Sequence, residues 1–378
     1  MKLILYVHDL QLEIGHSNAM IETIRNFPPG TLREICFVTY QSGDLKKLFP
    51  NFEGKMRDVK VPGGRLRPYL LKILFFHLYT FVYNLFYVDE TWKKVSIGTA
   101  SFCVKYINIQ FLQSHWSEYY FQLNKLKWYS YIYKKIHFFY NNFLEAYLLN
   151  SSNTYVSVLA DFEKEYIKKK FSIPVKNIIT NYSSVNLARF KLTSSSRKEI
   201  FTELSLTHPE IKTLDIRKPI YLFVGAYQRK GLGRILDLLK PGHQIIIVGK
   251  GESHLSMSFP DDVIIVKIPF SKQIEKFYSL CDAFLFPSIY EPFGLVILEA
   301  AAMGIPLFLA EKNIGACELL HELEGVTMYK NQESFKIPEI DIMTKEKREV
   351  YRSQRIKRIE ENSWKKCGEK FYKLLRDN

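Results

Sequence analysis

Two glutamates, Glu291 and Glu299, stand where they could bind hydroxyl groups of a ligand. A short apolar run over 283–286 predicts a buried strand, the following loop holds Glu291, and Gly294 begins a predicted helix that carries Glu299. A loop that leads into a helix offers unpaired N–H groups and a positive dipole end, which suit an anion. Carboxylates beside it can accept hydrogen bonds from sugar hydroxyls. A lone glutamate would more often cap the helix, but a carboxylate in an otherwise apolar helix is costly without partners.

A pair of cations precedes another predicted helix. A strand ends at Gly225, and Arg229 and Lys230 follow it before a helix that begins near Gly231. Cations at a helix N-terminus repel the helix dipole, so a bound anion would stabilise them there. Taken alone, the two side chains could equally be solvated.

The segment 291–306 resembles the motif E-x-F-G-x-x-x-x-E-A-x-A-x-G-x-P of glycosyltransferase family 4. The matching residues are Glu291, Phe293, Gly294, Glu299, Ala300, Ala302, Gly304 and Pro306. The resemblance implies an α/β protein of the GT-B class, with two Rossmann-like domains facing each other across a cleft. It also implies a retaining transfer from a nucleotide-diphosphate sugar.

The same resemblance implies roles for individual residues. Glu299 would bind the ribose, Glu291 would contact the donor sugar near the transferred carbon, and Arg229 and Lys230 would hold the diphosphate. Together with His115, which stands after a predicted strand where the family has a histidine beside the donor sugar, Glu291, Arg229 and Lys230 form the candidate catalytic set. A structural or solvated role for His115 is the alternative.

Further donor-binding candidates follow from the same resemblance. The backbone of Phe293, Gly294 and Leu295 would contact sugar and diphosphate, and Gly249 and Ile268 stand in segments that would surround the nucleoside. The remaining two are glycines: Gly225 ends a strand, and Gly15 stands where the family has a Gly-Gly loop, with His16 in the second place.

No metal or other cofactor is expected. The chain has no Asp-x-Asp motif, and Asp261 and Asp262 are adjacent. Cationic side chains would therefore stabilise the leaving diphosphate.

Short apolar runs alternate with helical patterns in both halves, as in α/β units on parallel sheets. The predicted strands cover 3–7, 34–39, 107–112, 155–158 and 177–179 in the first half, and 220–224, 244–248, 263–266, 283–286 and 306–309 in the second. At 378 residues, two domains are expected. The predicted N-terminal domain covers 1–185 and is joined by a last helix over 363–378 that crosses back to it. The predicted C-terminal domain covers 186–362, and the hinge between them is placed near 183–218.

Charge and aromatic residues are concentrated in the first half. Residues 1–190 hold 24 Lys+Arg against 14 Asp+Glu, and the remainder holds 29 against 25. Such a basic half implies an anionic partner. The apolar stretch 69–88 is most simply a buried helix and next a membrane-surface helix. In 116–143, aromatic residues alternate with Lys125, Lys127, Lys134 and Lys135, which suits lipid headgroups or stacked bases.

The leading hypothesis is a glycosyltransferase acting on a glycan or lipid-linked acceptor in lipopolysaccharide or other envelope glycan synthesis. Its partners would be a nucleotide-diphosphate sugar and an anionic membrane surface, with no nucleic acid. The five cysteines are scattered, and the first apolar segment is too short for a signal peptide before polar residues follow it. Both features predict a cytoplasmic protein, which would act at the inner face of the membrane. The alternatives are an epimerase-type enzyme that uses nucleotide sugars and a basic nucleic-acid-binding protein.

Overall fold

The chain folds into two compact units. The computed structural model describes residues 1–11, 15–124, 126–226, 228–251 and 262–378. Unit 1 comprises Met1–Ser183 and Ser363–Asn378, and unit 2 comprises Ser184–Asn362. The division falls after Ser183, and the last helix, within Ser363–Asn378, belongs to unit 1.

Unit 1 is an α/β unit whose elements are numbered along the whole chain. Its strands are β1 Lys2–Tyr6, β2 Asp9–Leu10, β3 Glu34–Thr39, β4 Gln41–Ser42, β5 Lys55–Lys60, β6 Trp92–Ile97, β7 Tyr106–Ile109, β8 Tyr155–Val158 and β9 Ile178–Thr180. Its helices are α1 Gly15–Arg25, α2 Leu45–Leu48, α3 Tyr69–Tyr87, α4 Gln113–Leu123, α5 Trp128–Leu149, α6 Asp161–Lys170 and, after unit 2, α13 Trp364–Asp377.

The main sheet of unit 1 is parallel, in the order β5-β3-β1-β6-β7-β8-β9. Counting its strands along the chain gives 3-2-1-4-5-6-7, the Rossmann order extended by one strand. The interior strand β1 is apolar from Leu3 to Tyr6, because both faces of a doubly wound sheet are covered. Leu3 and Leu5 enter the core on one face, and Ile4 and Tyr6 enter the core on the other.

Unit 2 repeats this architecture. Its strands are β10 Tyr221–Ala226, β11 Gln244–Gly251, β12 Ile264–Ile268, β13 Ala283–Phe286, β14 Leu307–Ala310 and β15 Val326–Tyr329. Its helices are α7 Arg197–Thr207, α8 Leu232–Leu238, α9 Ile274–Leu280, α10 Leu295–Ala302, α11 Gly315–Leu320 and α12 Lys345–Glu361. The parallel sheet has the order β12-β11-β10-β13-β14-β15, which is the Rossmann order 3-2-1-4-5-6.

The structure corrects the sequence interpretation in three places. The strands β5, β6 and β15 were not predicted; β5 and β15 are edge strands, and Lys93 and Lys94 interrupt the apolar pattern of β6. The predicted hinge 183–218 is also not a simple linker, because it contains α7. Ser196 and Glu199 form a capping box at the start of that helix.

Helix α3 is the third correction. The sequence favoured a largely buried helix over 69–88, but one side of α3 is exposed along its length. By length and composition alone, α3 is the described helix that could cross a membrane. Only 28% of an 18-residue window of α3 is buried, so the preferred interpretation as a largely buried helix was wrong.

Helix α13 is held in unit 1 by a close backbone approach. Phe371, Leu374 and Leu375 join the core around β1. A Cβ on Gly368 would lie 2.3 Å from the carbonyl oxygen of Asn26 and 2.8 Å from that of Thr23. Only glycine therefore allows α13 to lie this close to α1.

We expect Gly368→Ala to destabilise unit 1 by about 1–3 kcal/mol, because the added methyl group forces α13 away from α1. Urea unfolding followed by circular dichroism would measure the change. Gly233→Ala is the matched control, because Gly233 lies in α8 and no atom of the described part of the chain lies within 4 Å of its added Cβ. Alanine also favours a helix. Equal stability of the two variants would contradict the proposed packing.

Candidate functional site

The candidate residues of unit 2 lie at the carboxyl edge of its sheet. Strands β10 and β13 are neighbours, and the strand order reverses between them. Ligands of open α/β sheets bind in the crevice at such a switch point. Lys230 follows β10, and Glu291 follows β13. The topology therefore brings together two motifs that are far apart in sequence.

Two glycines position Lys230. Gly225 has φ +112°, and a Cβ there would lie 2.6 Å from Cδ of Lys230, so the lysine side chain lies directly against the glycine. Gly231 has φ +84°, and its Cβ would lie 2.0 Å from the carbonyl oxygen of Pro287. The turn after β10 and the loop after β13 thus touch through backbone atoms, which only a glycine permits.

Arg229 joins the same two segments. Its carbonyl oxygen accepts hydrogen bonds from the Ile289 N–H at 3.0 Å and from the Ser288 hydroxyl at 3.2 Å. Its guanidinium donates to the carbonyl oxygen of Tyr290. Arg229 therefore has a positioning role in addition to its charge.

Glu291 lies between the two cations. Its Oε2 is 3.2 Å from Nη1 of Arg229 and 3.8 Å from Nζ of Lys230. Its backbone is held by the 310–315 segment, since its N–H donates to Asn313 O at 2.9 Å and its carbonyl oxygen accepts from Gly315 N at 3.2 Å. Two positive charges and one negative charge leave this cluster with a net positive charge, which favours a further anion.

Glu299 lies half-buried on α10, whose first turn follows Gly294 at φ +95°. The Tyr278 hydroxyl donates to its Oε2 at 2.9 Å. Burial raises the pKa of the Glu299 carboxyl, and the Tyr278 hydrogen bond, Arg189 and Lys230 oppose this rise. The partner that a carboxylate in an apolar helix requires is thus mainly Tyr278.

The other donor-binding candidates are distributed over both units. Gly249 lies in β11 with φ +148°, and Ile268 is the buried last residue of β12, so both stand at the same sheet edge. Phe293 is buried, and its carbonyl oxygen accepts from Ala316 N at 2.8 Å; Leu295 begins α10. Gly15 begins α1 in unit 1, and among the described residues no atom lies within 4 Å of an added Cβ.

His115 belongs to unit 1 and packs among aromatic rings. It lies in the first turn of α4 and is 5% exposed. Its ring stacks on that of Tyr166, with centroids 4.0 Å apart and planes at 11°. The structure therefore gives His115 a packing role, and its catalytic role stays a prediction.

Three arginines of α12 were missed by the sequence analysis. Arg348 donates to the carbonyl oxygens of Tyr278 and Cys281, and Arg355 donates to those of Ile305 and Glu324. Arg352 donates to the carbonyl oxygen of Ala302. Four of these five carbonyls end α9 and α10 or follow them, where backbone acceptors lack helical partners, and that of Glu324 follows α11. The arginine spacing of four and three residues was the signal that could have identified this face.

The described residues include no group of three or more His, Cys, Asp or Glu side chains arranged to hold a metal ion. Positive charge in the described part of the site comes from Arg229 and Lys230.

Comparison with protein families identifies the part of the chain that carries this site. Residues 207–358 match the family of group 1 glycosyl transferases. The chain is 27% identical over 205 residues to an uncharacterized glycosyltransferase of Methanocaldococcus jannaschii, covering 50% of each chain. It is 28% identical over 158 residues to a glycogen synthase of Clostridium perfringens, covering 37% of this chain and 32% of that one. The chain thus spans half or less of the length of these curated relatives.

Solved structures match over the whole chain. The structure of WaaG, a glycosyltransferase involved in lipopolysaccharide biosynthesis, has a TM-score of 0.68 at 13% identity and covers 100% of this chain and 98% of its own. Anabaena HepE in complex with UDP-glucose has a TM-score of 0.64 at 13% identity and covers 100% of both chains. Such identities show the fold alone. The predicted GT-B fold class and the resemblance to glycosyltransferases are confirmed, and membership of family 4 in particular stays a prediction.

His115→Phe should leave the free energy of unfolding close to that of wild type, because phenylalanine can stack on Tyr166 as the imidazole does. Its turnover should stay within several-fold of wild type. His115→Ala should lower the free energy of unfolding by about 1–3 kcal/mol through the cavity it leaves. Thermal unfolding and sugar-transfer assays on both variants separate the two roles. A loss of transfer beyond 100-fold in a fully stable His115→Phe protein would instead establish the catalytic role.

Proposed function

We propose that this chain, whose residues 207–358 match the group 1 glycosyltransferases, is a glycosyltransferase that uses a nucleotide-diphosphate sugar. The observation that carries the proposal is the cluster of Arg229, Lys230 and Glu291 at the switch point of unit 2, with Glu299 held by Tyr278 on the adjoining helix. A cluster of two cations and one carboxylate, with a second carboxylate on the adjoining helix, matches a ligand with a diphosphate between two sugars.

Each residue has a place in this proposal. Arg229 and Lys230 bind the diphosphate, and Glu299 accepts hydrogen bonds from the ribose hydroxyls. Glu291, held by the same two cations, accepts from hydroxyls of the donor sugar. The UDP and UDP-glucose complexes of the structurally similar HepE support a nucleotide-sugar donor.

The reaction we propose is a substitution at the anomeric carbon on the face that the diphosphate leaves. The bond between that carbon and the diphosphate oxygen breaks, and its electron pair stays on the diphosphate. The acceptor hydroxyl forms the new bond, and its proton passes to the leaving phosphate. The configuration of the sugar is retained. Lys230 and Arg229 stabilise the negative charge that develops on the diphosphate, as preorganised charges do in other enzymes.

Two further features belong to the proposal. Because the two cations can neutralise the leaving group, the transfer needs no bound metal ion, and a chelator should leave the rate unchanged. The acceptor is a glycan or a lipid-linked glycan of the cell envelope, which the similarity to a lipopolysaccharide glycosyltransferase supports.

A panel of UDP-, GDP- and ADP-sugars tests the proposal, with thermal shift to identify the donor and an acceptor mixture to detect transfer. Sugar transfer with release of nucleoside diphosphate would support a glycosyltransferase. Interconversion of the donor in the absence of any acceptor would support the epimerase alternative. Absence of a shift with every nucleotide sugar would end both hypotheses.

Lys230→Ala should lower the rate of transfer about 10²–10³-fold, because it removes a preorganised positive charge from the leaving diphosphate. The matched control is Lys240→Ala, which removes an exposed lysine that pairs with Glu339 in the same unit. Steady-state rates with saturating donor make the comparison. Near-wild-type turnover of Lys230→Ala would refute the phosphate assignment.

The affinity for nucleoside diphosphate should fall as the pH decreases toward the raised pKa of Glu299, because the carboxylate form accepts the ribose hydrogen bonds. Tyr278→Phe should move this loss to higher pH, since the Tyr278 hydrogen bond lowers that pKa. Isothermal calorimetry from pH 5 to 8 would measure both, and Glu299→Gln should bind weakly with less pH dependence.

Glu291→Gln serves as the control for that experiment. It should retain nucleoside diphosphate affinity but lose sugar-dependent steps, because Glu291 is assigned to the donor sugar. Equal losses of nucleoside diphosphate affinity in the two glutamine variants would contradict the separate roles.

A further inference from the structure

Helix α3 has a buried face of mixed polarity and an opposite, exposed face that is apolar. Ile73, Phe76 and Thr80 lie on a stripe buried in unit 1, and Phe76 belongs to the core beside β1. On the other side, Leu71, Leu74, Leu78, Val82 and Leu85 are between 39% and 68% exposed. Their spacing of three and four residues places these side chains in one row.

Helix α5 carries a second exposed apolar row. Trp128, Ile132, Ile136, Phe139 and Phe143 follow the same spacing and are between 49% and 75% exposed. Scattered apolar residues are normal on protein surfaces, but rows of this length mark an interaction site.

The two helices run side by side in the same direction. Tyr133 Oη accepts from Leu70 N at 3.2 Å, and seven residues later on each helix Tyr140 Oη lies 2.7 Å from Nδ1 of His77. Successive residues of an α-helix are about 100° apart around its axis. On α3, the residues that contact α5 lie about a quarter turn to one side of the exposed row. On α5, the residues that contact α3 lie about a quarter turn to the opposite side of its exposed row. Two parallel helices with that relation present their rows on the same side of unit 1.

We propose that these two rows, which together we call the apolar face, form a surface that docks on an anionic lipid bilayer, with α3 and α5 lying in the plane of the interface. The inference does not rest on the proposed function, because it uses only residues of unit 1 outside the candidate site.

Charge argues for lipid over a second copy of the chain. The stretches 61–88 and 126–144 contain Arg65, Arg67, Lys72, Lys127, Lys134 and Lys135 and no Asp or Glu. Of these cations, Arg65, Arg67, Lys127 and Lys135 are exposed. Self-association through the apolar face would bring like charges together, whereas anionic headgroups would neutralise them.

The structure also argues that α3 lies on the membrane and does not cross it. The Tyr6 hydroxyl donates to Oδ1 of Asn84 at 2.7 Å, and Nε2 of His77 lies 2.6 Å from the Thr99 carbonyl oxygen. Burial lowers the pKa of His77 to about 4, so this ring is neutral at physiological pH. A spanning α3 would break these contacts with unit 1 and would leave its core uncovered. An amphipathic arrangement keeps them and places only the exposed rows in lipid.

The test is co-sedimentation of the full chain with vesicles of phosphatidylcholine alone or mixed with phosphatidylglycerol, at about 0.1 M and about 1 M salt. Wild-type protein should bind the anionic vesicles with a blue shift of its tryptophan fluorescence, to which the exposed Trp128 contributes, and should bind the neutral vesicles much more weakly. Salt should reduce the binding and leave an apolar remainder.

Two variants separate the apolar and charged contributions. Leu78→Ser/Leu85→Ser/Phe139→Ser should weaken partition on the order of tenfold for each side chain at both salt concentrations. Its control is Leu206→Ser/Val350→Ser, which removes exposed apolar side chains of unit 2 and should have no effect.

The charge variant is Lys127→Ser/Lys135→Ser, which should weaken binding about 25-fold at low salt and little at high salt. Lys168→Ser/Lys169→Ser removes two exposed lysines of α6 and is the control. Equal binding of wild type and the apolar-face variant would overturn the proposal. So would concentration-dependent dimers, seen by analytical ultracentrifugation, that the same substitutions abolish while vesicles are not bound.

Discussion

The candidate site depends on one close backbone approach, between the turn after β10 and the loop after β13. Gly231 lies against the carbonyl oxygen of Pro287, and the Arg229 carbonyl oxygen accepts hydrogen bonds from residues 288 and 289. Any side chain at position 231 would separate the two segments, and the distance from Lys230 to Glu291 would then no longer be fixed. The glycine of the Lys-Gly pair is therefore required by the neighbouring loop as well as by its own positive φ.

A second constraint acts from the opposite end of helix α10. Gly304, which follows this helix, has φ +66°, and a Cβ there would lie 2.1 Å from the carbonyl oxygen of Arg348. Arg348 and Arg355 are buried, and burial lowers the pKa of each guanidinium to about 10. Backbone carbonyls compensate these buried charges, so α12 fixes both α10, which carries Glu299, and α9, which carries Tyr278. Gly304, the last glycine of the motif that contains the two glutamates, thus allows α12 to pack closely against the end of α10.

Local sequence patterns predicted those parts of the fold in which residues close together in the sequence share the same burial or belong to the same motif. The strands β1, β3, β8 and β13 are apolar runs and were found within a residue or two. Strand β5, Lys-Met-Arg-Asp-Val-Lys, lies at a sheet edge and resembles a loop in composition. At the site, the motif predicted Glu291, Glu299 and Lys230. The Tyr278–Glu299 hydrogen bond joins residues 21 positions apart through the fold, and no spacing rule could have shown it.

Helix α3 illustrates a limit of hydropathy as a guide. A mainly apolar helix satisfies equally the expectations for a core, a bilayer and an interface, because each of these environments excludes water from apolar side chains. What distinguishes them is the geometry of the polar atoms. Asn84 and His77 are both on the buried side of α3 and have hydrogen-bond partners inside unit 1, so that side packs against the rest of unit 1. The opposite side of α3 is exposed, and Arg65 and Arg67 lie close before its first residue. A partner with negative charge and an apolar interior would match both the cations and the apolar row.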